Sequence, residues 1–253
     1  MGLHRRSLLA GTAAVAAGSL LLRSRRASAA TGFRAVALDG LVLFDARPIA
    51  VLVNQLFPEK GRELNDLWRV KQFDYQWLSA LSGRYRDFQQ ATESALVFAA
   101  RSLRVDLTPE ARERLMHAWL ELKAWPDVAP ALRALKEAGL RLAPLTNFTP
   151  AMLERAVANA GLEGLFEELI STDRGKTFKP DPRAYQLAVD ALRLKREQIA
   201  FVASAGWDVA GGRWFGYPTF WVNRSGAPPE ELSADAHGTG SGMSDLLAFV
   251  ERR

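Results

Sequence analysis

Short apolar runs alternate with amphipathic segments through two stretches of the chain, 31–45 and 127–253. The apolar runs are typical of buried strands, because they are short and are bounded by turn residues. They lie at 33–39, 140–146, 166–172, 198–204 and 218–222. The amphipathic segments predict helices at 127–138, 150–160, 181–192, 208–215 and 242–252. Strands that alternate with helices favour a parallel sheet covered on both faces. The predicted fold class is therefore α/β, with a parallel-sheet, Rossmann-like core.

Residues 46–126 have a different pattern, in which apolar positions recur at helical spacing and no strand is indicated. Helices are predicted at 63–82, 91–103 and 109–122. Thr108 is a suitable N-cap for the last of them. Three tryptophans at helical spacing are interpreted as packed core: Trp68, Trp77 and Trp119. Because this block follows the first strand, we predict that it is an all-helical cap inserted over the sheet edge where the strands end.

The first thirty residues carry adjacent arginines, Arg5 and Arg6, followed by a mildly apolar stretch at 8–22 and small residues up to Ala30. This layout is typical of a bacterial twin-arginine signal peptide, and an uncleaved N-terminal anchor is the alternative. We expect export to the periplasm and no stable membrane insertion after processing. The five arginines of this segment, which has no acid, account for the whole net charge of +5. The charge therefore does not indicate a nucleic-acid partner, and the absence of cysteine excludes thiol chemistry.

Polar residues stand at the ends of three predicted strands, where open parallel sheets bind their ligands. Asp39 follows the first strand, Thr146 and Asn147 end the second, and Asp208 follows the fourth. A carboxylate at a strand tip can act as a nucleophile, and a second carboxylate can orient or deprotonate a water molecule. A hydroxyl and an amide at the same edge can hold a substrate carboxylate or a leaving group.

Lys179, in the segment TFKPDP, would keep Asp39 ionised if the two side chains lie close together. Each of these residues also has a structural alternative. Asp39 could stabilise a turn or cap a helix, Thr146 could cap the following helix, and Asp208 could be a helix N-cap. The three histidines are too scattered to indicate a metal site or a serine triad.

Five segments together resemble the L-2-haloacid dehalogenases of the haloacid dehalogenase superfamily. They are ELNDLWRVKQFDYQWL (63–78), RYRDFQQATESAL (84–96), LAPLTNFTPAML (142–153), KTFKPDPRAYQLA (176–188) and FVASAGWDVAGGRWFGYPTFWVNRSG (201–226). The resemblance implies a hydrolase that acts on carbon–halide bonds. It would convert a short 2-haloalkanoate to the 2-hydroxy acid and halide through an aspartyl ester, as an (S)-2-haloacid dehalogenase does. The resemblance implies no cofactor, and it leaves a homodimer open.

The resemblance also implies a role for each matching site residue. The catalytic residues would be Asp39 as the nucleophile, Arg69 as the halide acceptor, and Lys179 and Asp208, which steady the nucleophile and the water. The substrate-binding residues would be Thr146, Asn147, Gly40, Leu41, Tyr185, Phe73, Phe88 and Trp207. Among these, Asn147 would assist with the halide, Tyr185 would help to steady the nucleophile and the water, and the last three would form an apolar wall around the alkyl group.

Leu41 argues on chemical grounds against a magnesium-dependent phosphatase and a metal site. Phosphatases of the superfamily have an acid at this position, two residues after the nucleophile. Leucine cannot protonate a leaving oxygen, whereas a halide leaves without a proton. Val42 and Leu43 also stand where the family has a threonine hydroxyl, and Ala203 and Ala205 replace a serine and an asparagine. These losses would slow ester hydrolysis more than alkylation. Two alternatives stay open: an exported hydrolase of the same fold with another small substrate, and a catalytically impaired protein that binds small carboxylates.

Overall fold

The computed structural model describes residues 32–252, so the predicted signal segment 1–30 lies outside the described residues. The elements in chain order are β1 (Ala35–Leu38), α1 (Gly40–Leu43), β2 (Phe44–Asp45), α2 (Arg47–Leu56), α3 (Gly61–Leu81), α4 (Phe88–Leu103), α5 (Pro109–Ala118), β3 (Lys123–Ala124), α6 (Val128–Glu137), β4 (Arg141–Thr146), α7 (Pro150–Asn159), β5 (Ile170–Ser171), α8 (Pro182–Leu192), β6 (Ile199–Ala203), α9 (Gly206–Phe215), β7 (Thr219–Val222), β8 (Gly238–Gly240) and α10 (Met243–Glu251).

The main sheet has six strands in the order β5-β4-β1-β6-β7-β8, and every neighbouring pair is parallel. β1 lies inside the sheet, and its last residue, Leu38, is opposite Pro144 of β4 and Val202 of β6. The chain therefore leaves these three strands at the same edge, which brings the residues that follow them together. The predicted α/β fold class is confirmed.

Helices cover both faces of this sheet because each strand alternates its side chains between two apolar clusters. Val36 and Leu38 of β1 belong to one cluster, together with buried residues of α6, α7 and α10. Ala35 and Ala37 belong to the other, with buried residues of α8 and α9. A strand buried on both faces must be apolar at every position, and all four residues of β1 are fully buried.

Two strands of the sheet differ from the prediction. The strand predicted at 166–172 is reduced to the two residues of β5. β8 lies in the stretch 224–241, which the sequence indicates only as a loop. Its three residues, Gly-Thr-Gly, have no apolar run, and the strand is defined by pairing with β7, in which Trp221 is opposite Thr239. Neither difference alters the sheet edge that follows β1, β4 and β6.

The block 46–126 contains helices α2 to α5, of which α3 and α4 pack most extensively against each other. Thr108 caps α5 as predicted, since its hydroxyl accepts a hydrogen bond from the Ala111 amide at 3.2 Å. The expectation that this block has no strand is wrong at β3, which pairs antiparallel with β2. Two residues are too few to show an alternating pattern, and this short pairing ties together the points where the chain enters and leaves the helical block. Within residues 32–252, none of the helices has the length and apolarity needed to cross a membrane.

Candidate active site

Asp39 follows β1 directly, and both of its carboxylate oxygens accept hydrogen bonds. Lys179 Nζ donates to Oδ1 at 2.7 Å, and Ser204 Oγ donates to Oδ2 at 2.7 Å. The Leu41 amide also donates to Oδ2, at 3.0 Å, so Asp39 is the N-cap of α1. The capping role suggested as an alternative and the predicted contact with Lys179 are therefore both present, and the carboxylate is 13% exposed.

Lys179 joins two carboxylates inside the protein. Its ammonium donates to Asp208 Oδ2 at 2.6 Å as well as to Asp39, and the side chains of Lys179 and Asp208 are each 1% exposed. Tyr185 Oη donates to the other oxygen of Asp208 at 2.7 Å. Asp208 lies in the first turn of α9, whose N-cap residue is Ala205, so the suggestion that Asp208 is a helix N-cap is wrong. Its carboxylate is used for contacts within the site.

The environment shifts the two carboxyl pKa values in opposite directions. Burial disfavours the charged form of Asp39, but the charge of Lys179 and the hydrogen bonds from Lys179, Ser204 and Leu41 outweigh burial and lower the pKa of Asp39 below its ordinary 3.8. Burial raises the pKa of Asp208 to about 6, and the negative charge of Asp39 adds to this effect against the attraction of Lys179. Burial also opposes the charge of Lys179, yet the two carboxylates raise its pKa. Asp39 is therefore the carboxylate that stays ionised over the wider pH range.

Gly40 and Thr146 approach each other closely beside Asp39. A Cβ added at Gly40 would lie 2.5 Å from Thr146 Oγ1, so only glycine fits at this position. Thr146 accepts a hydrogen bond from the Phe148 amide at 3.3 Å, whereas α7 is capped by Thr149. The suggestion that Thr146 caps the following helix is therefore wrong. Since its oxygen accepts from Phe148, its hydroxyl hydrogen is oriented elsewhere and can serve a ligand.

Asn147 connects the sheet edge with the helical block. Its Oδ1 accepts from the Lys179 amide at 3.0 Å and from Thr172 Oγ1 at 3.2 Å, and its Nδ2 donates to Gln76 Oε1 of α3 at 3.0 Å. Gln76 is fully buried. Gln76 is not among the predicted site residues, although a glutamine on the buried stripe of a helix is itself a signal, because buried amides require partners.

Arg69 extends from α3, and its Nη1 donates to Gln72 Oε1 at 2.6 Å. Its guanidinium carbon lies 5.2 Å from the ring centre of Phe73 and 5.4 Å from that of Trp119. Burial lowers the pKa of Arg69 to about 10, while the charge of Asp39 acts in the opposite direction. The arginine therefore remains charged at neutral pH, and the electrostatic influence of Asp39 indicates that the two groups face a common region.

The three predicted wall residues fall into two aromatic groups. Phe73 and Trp207 contact each other at 5.4 Å, and both contact Trp77. Phe88 instead packs on Trp119, with ring centres 5.3 Å apart. Arg69 lies against Phe73 of one group and Trp119 of the other, so the three predicted residues do not form a single wall.

Of the three tryptophans interpreted as core, Trp68 and Trp119 are buried. The interpretation is wrong for Trp77, which is partly exposed, donates to the Lys179 carbonyl at 3.1 Å and lines an apolar cavity with Trp207. Ser204, whose hydroxyl binds Asp39, is a further site residue that was not predicted. Its place directly after β6, beside the end of β1, is the signal that could have found it.

The residues at this edge define a class of protein: a Rossmann-like α/β core with a largely buried, ionised carboxylate at the tip of an inner strand. Within residues 32–252 no cluster of three or more acidic or histidine side chains could hold a metal ion. Residues 20–216 match the family model of haloacid dehalogenase-like hydrolases. The chain belongs to this family.

Individual proteins whose sequences resemble this chain are haloacid dehalogenases. The (S)-2-haloacid dehalogenase of Pseudomonas sp. (strain YL) is 45% identical over 190 residues, which cover 75% of this chain and 82% of the relative. Haloacetate dehalogenase H-2 of Moraxella sp. (strain B) is 40% identical over 82% of this chain and 93% of the relative. The predicted resemblance to the L-2-haloacid dehalogenases is thereby confirmed.

Solved structures of L-2-haloacid dehalogenases also resemble this chain in fold. A crystal structure of an L-2-haloacid dehalogenase has a TM-score of 0.85 and 42% identity, and the match covers 87% of this chain and 99% of that chain. The L-2-haloacid dehalogenase of Xanthobacter autotrophicus with chloropropionic acid covalently bound has a TM-score of 0.78 and 32% identity, over 86% of this chain and 98% of that chain.

Proposed function

We propose that this protein is an (S)-2-haloacid dehalogenase, which hydrolyses a short 2-haloalkanoate to the 2-hydroxy acid and halide. The observation that carries the proposal is the series Asp39, Lys179, Asp208, in which one buried ammonium bridges two carboxylates of different pKa. The charged guanidinium of Arg69 adds the group that would receive the halide. The dehalogenases among the relatives support the choice of substrate class.

In the first step a carboxylate oxygen of Asp39 attacks carbon 2 of the substrate from the side opposite the halogen. The carbon–halogen bond breaks, the halide leaves with the electron pair towards Arg69, and carbon 2 is inverted. The lowered pKa keeps Asp39 ionised for this attack. The hydroxyl of Thr146, whose oxygen accepts from the Phe148 amide, donates its hydrogen to the substrate carboxylate. The Leu41 amide is committed to Asp39 and holds the nucleophile instead of the substrate.

In the second step water attacks the carboxyl carbon of the aspartyl ester. Asp208 accepts one proton of that water. The bond between the carboxyl carbon and the ester oxygen then breaks, and that oxygen, which came from Asp39, takes the proton from Asp208 as the 2-hydroxy acid is released. Asp39 keeps the oxygen of the water, loses the second proton of the water to solvent and is regenerated as a carboxylate. Above a pH of about 6 Asp208 is mainly ionised and able to accept the proton. Lys179 contacts both carboxylates, so it stabilises the negative charge of Asp39 before alkylation and that of Asp208 before ester hydrolysis.

Halide release from the two enantiomers of 2-chloropropionate tests the proposal. We expect turnover of the (S) enantiomer, formation of (R)-lactate and no activity of the Asp39→Asn variant. A single turnover in isotopically labelled water should place the label in Asp39, since the product hydroxyl comes from the carboxylate. Absence of halide release from both enantiomers, with the fold intact, would refute the proposal.

A second candidate is an enzyme that is alkylated but hydrolyses its ester slowly. It is favoured by Ala205, which offers no side-chain hydrogen bond at the start of α9 where the family has an asparagine. Ser204 supplies one hydroxyl to Asp39, which offsets part of the polar loss around the nucleophile. A stoichiometric burst of halide followed by slow turnover, with alkylated Asp39 seen by mass spectrometry, identifies this case. Binding of small carboxylates without any halide release would instead indicate an impaired binding protein.

We also propose that residues 1–30 direct export by the twin-arginine route, so that the enzyme acts in the periplasm. The support is the arginine pair followed by an apolar stretch and small residues. Replacing Arg5 and Arg6 with lysine should retain the protein in the cytoplasm, which fractionation of cells would show.

Sedimentation velocity of the mature chain distinguishes a monomer from the homodimer that the resemblance leaves open.

A further inference from the structure

Gln72 lies on the buried face of α3, three residues after Arg69, and is 1% exposed. We propose that Gln72 is a positioning residue for the halide acceptor: it fixes the orientation of the Arg69 guanidinium without neutralising its charge. This inference rests on the proposed function, because it takes Arg69 as the group that receives the departing halide.

The orientation follows from a chain of hydrogen bonds that runs in one direction. Arg69 Nη1 donates to Gln72 Oε1 at 2.6 Å, Gln72 Nε2 donates to Thr92 Oγ1 at 2.6 Å, and Thr92 Oγ1 donates to the Phe88 carbonyl at 2.6 Å. A carbonyl can only accept, so the Thr92 hydroxyl hydrogen is committed to Phe88. The Thr92 oxygen must then accept from the amide nitrogen of Gln72. The amide oxygen of Gln72 therefore faces Arg69, and the alternative amide orientation would place two donors against each other.

The residues of this series of hydrogen bonds are also fixed by further contacts of helices α3 and α4. Thr92 is fully buried on α4, and its backbone carbonyl accepts from the Trp68 indole at 2.8 Å. Gln76 donates to the Gln72 carbonyl at 3.1 Å, one turn further along α3. Consecutive donors and acceptors of this kind polarise one another and resist rotation. One guanidinium nitrogen is thus anchored, and the other nitrogens keep a defined direction.

The positive charge of Arg69 is not compensated by an ion pair, because the side chain that accepts its hydrogen bond is a neutral amide. No carboxylate within residues 32–252 forms an ion pair with Arg69. Asp39 is the carboxylate whose charge acts on it, and Asp39 is itself bound to Lys179. The rings of Phe73 and Trp119 lie against the cation without cancelling its charge. A full positive charge in a partly buried place is what a departing halide requires.

Gln72→Glu is the sharpest test, since it keeps the shape of the side chain and adds a negative charge beside Arg69. We expect the first-turnover rate of halide release from (S)-2-chloropropionate to fall about 100-fold at neutral pH. The ratio of variant to parent rate should recover as the pH is lowered, because protonated glutamic acid is neutral like glutamine. The loss should be larger for chloride than for iodide, since iodide leaves with less assistance. An equal loss for all halides with no recovery at low pH would indicate a structural role and overturn the inference.

Thr92 provides a matched pair of variants that do not touch Arg69. Thr92→Ser keeps the hydroxyl and should retain the parental dependence on the leaving group. Thr92→Val removes it, frees the amide of Gln72 to rotate and should give a loss of about tenfold with the same preference for better leaving groups. Circular dichroism and melting curves of each variant show whether it is folded. Identical behaviour of the two Thr92 variants would contradict the proposed chain.

Bromide binding separates this inference from the proposed function. If the parent protein releases no halide from any 2-haloacid, the dehalogenase proposal fails, and bromide titrations followed by tryptophan fluorescence still test Gln72. Saturable bromide binding by the parent, weakened at least tenfold in Gln72→Glu at neutral pH, supports the inference. Equal binding by both proteins, or no binding by the parent, overturns it.

Discussion

Lowering the pH should separate the two chemical steps of this enzyme, because they depend on carboxylates with different pKa values. Alkylation requires ionised Asp39, whose pKa lies below 3.8, whereas ester hydrolysis requires ionised Asp208, whose pKa is about 6. At pH 5 Asp39 is still ionised in about nine molecules in ten or more, but Asp208 of the free enzyme in only about one in ten. Alkylation removes the charge of Asp39, which is one cause of the raised pKa of Asp208, whereas burial, the largest cause, remains. Hydrolysis should therefore slow by up to about tenfold relative to its plateau above pH 7, while alkylation continues.

Rapid-quench measurements on (S)-2-chloropropionate would show this separation. At pH 7.5 we expect steady halide release with little covalent enzyme. At pH 5 we expect a burst of up to about one equivalent of halide, then a rate that is lower than at pH 7.5 by up to about tenfold. Mass spectrometry of the enzyme quenched at pH 5 should show the ester on Asp39.

Asp208→Asn is the matched control, since it removes the titrating carboxylate and keeps its shape. This variant should accumulate the ester at both pH values. The reasoning is wrong if burst and steady rate of the parent decline together towards pH 5 with no covalent enzyme. It is also wrong if Asp208→Asn hydrolyses the ester at the parental rate.

Three further substitutions test other parts of the site. Lys179→Met leaves the carboxylates of Asp39 and Asp208 without their common cation, so it should lower the free energy of unfolding in urea by about 3–5 kcal/mol. Adding Asp208→Asn should restore part of this loss. An unchanged unfolding curve would show that the ion pairs do not contribute to stability. Gly40→Ala would bring a methyl group to 2.5 Å from the Thr146 hydroxyl, so it should raise the KM for 2-chloropropionate, and parental kinetics would contradict the assigned carboxylate site. Ser204→Ala removes a 2.7 Å hydrogen bond that lowers the pKa of the nucleophile, so the acid limb of first-turnover halide release should move to higher pH, measured against Ser204→Thr, which keeps the hydroxyl.

The contact between Asp39 and Lys179 shows what the sequence could predict about the site. Asp39 follows a run of buried apolar residues, and such a run at the start of an alternating pattern indicates an inner parallel strand. The resemblance to the L-2-haloacid dehalogenases then related Lys179, which is 140 positions away, to the same site. The 2.7 Å contact confirms that the two side chains meet. The roles of both residues stay predictions until the reaction is measured.

Gln72, Gln76 and Trp77 show where sequence reasoning was insufficient. All three lie on α3, within a stripe whose spacing predicts a helix but not the depth or partner of each position. Gln72 and Gln76 are buried polar groups because acceptors and donors from α4 and the sheet edge reach them. Trp77 is partly exposed because its indole binds the Lys179 carbonyl instead of entering the core. These contacts depend on neighbours that are distant in the chain.

The sequence by itself determined the α/β class, the helices of the block 46–126 and the place of Asp39 at the end of the first strand, because these follow from local periodicity and from the order of strands and helices. Only the tertiary structure decided how the side chains share their hydrogen bonds and charges. Lys179 bridges Asp39 and Asp208 and lowers the pKa of each, whereas burial and the charge of Asp39 raise the pKa of Asp208, so the two values lie apart. Arg69 keeps its full charge because a neutral amide holds it. Burial and electrostatic interactions depend on distances between groups brought together by folding, and no pattern along the chain contains those distances.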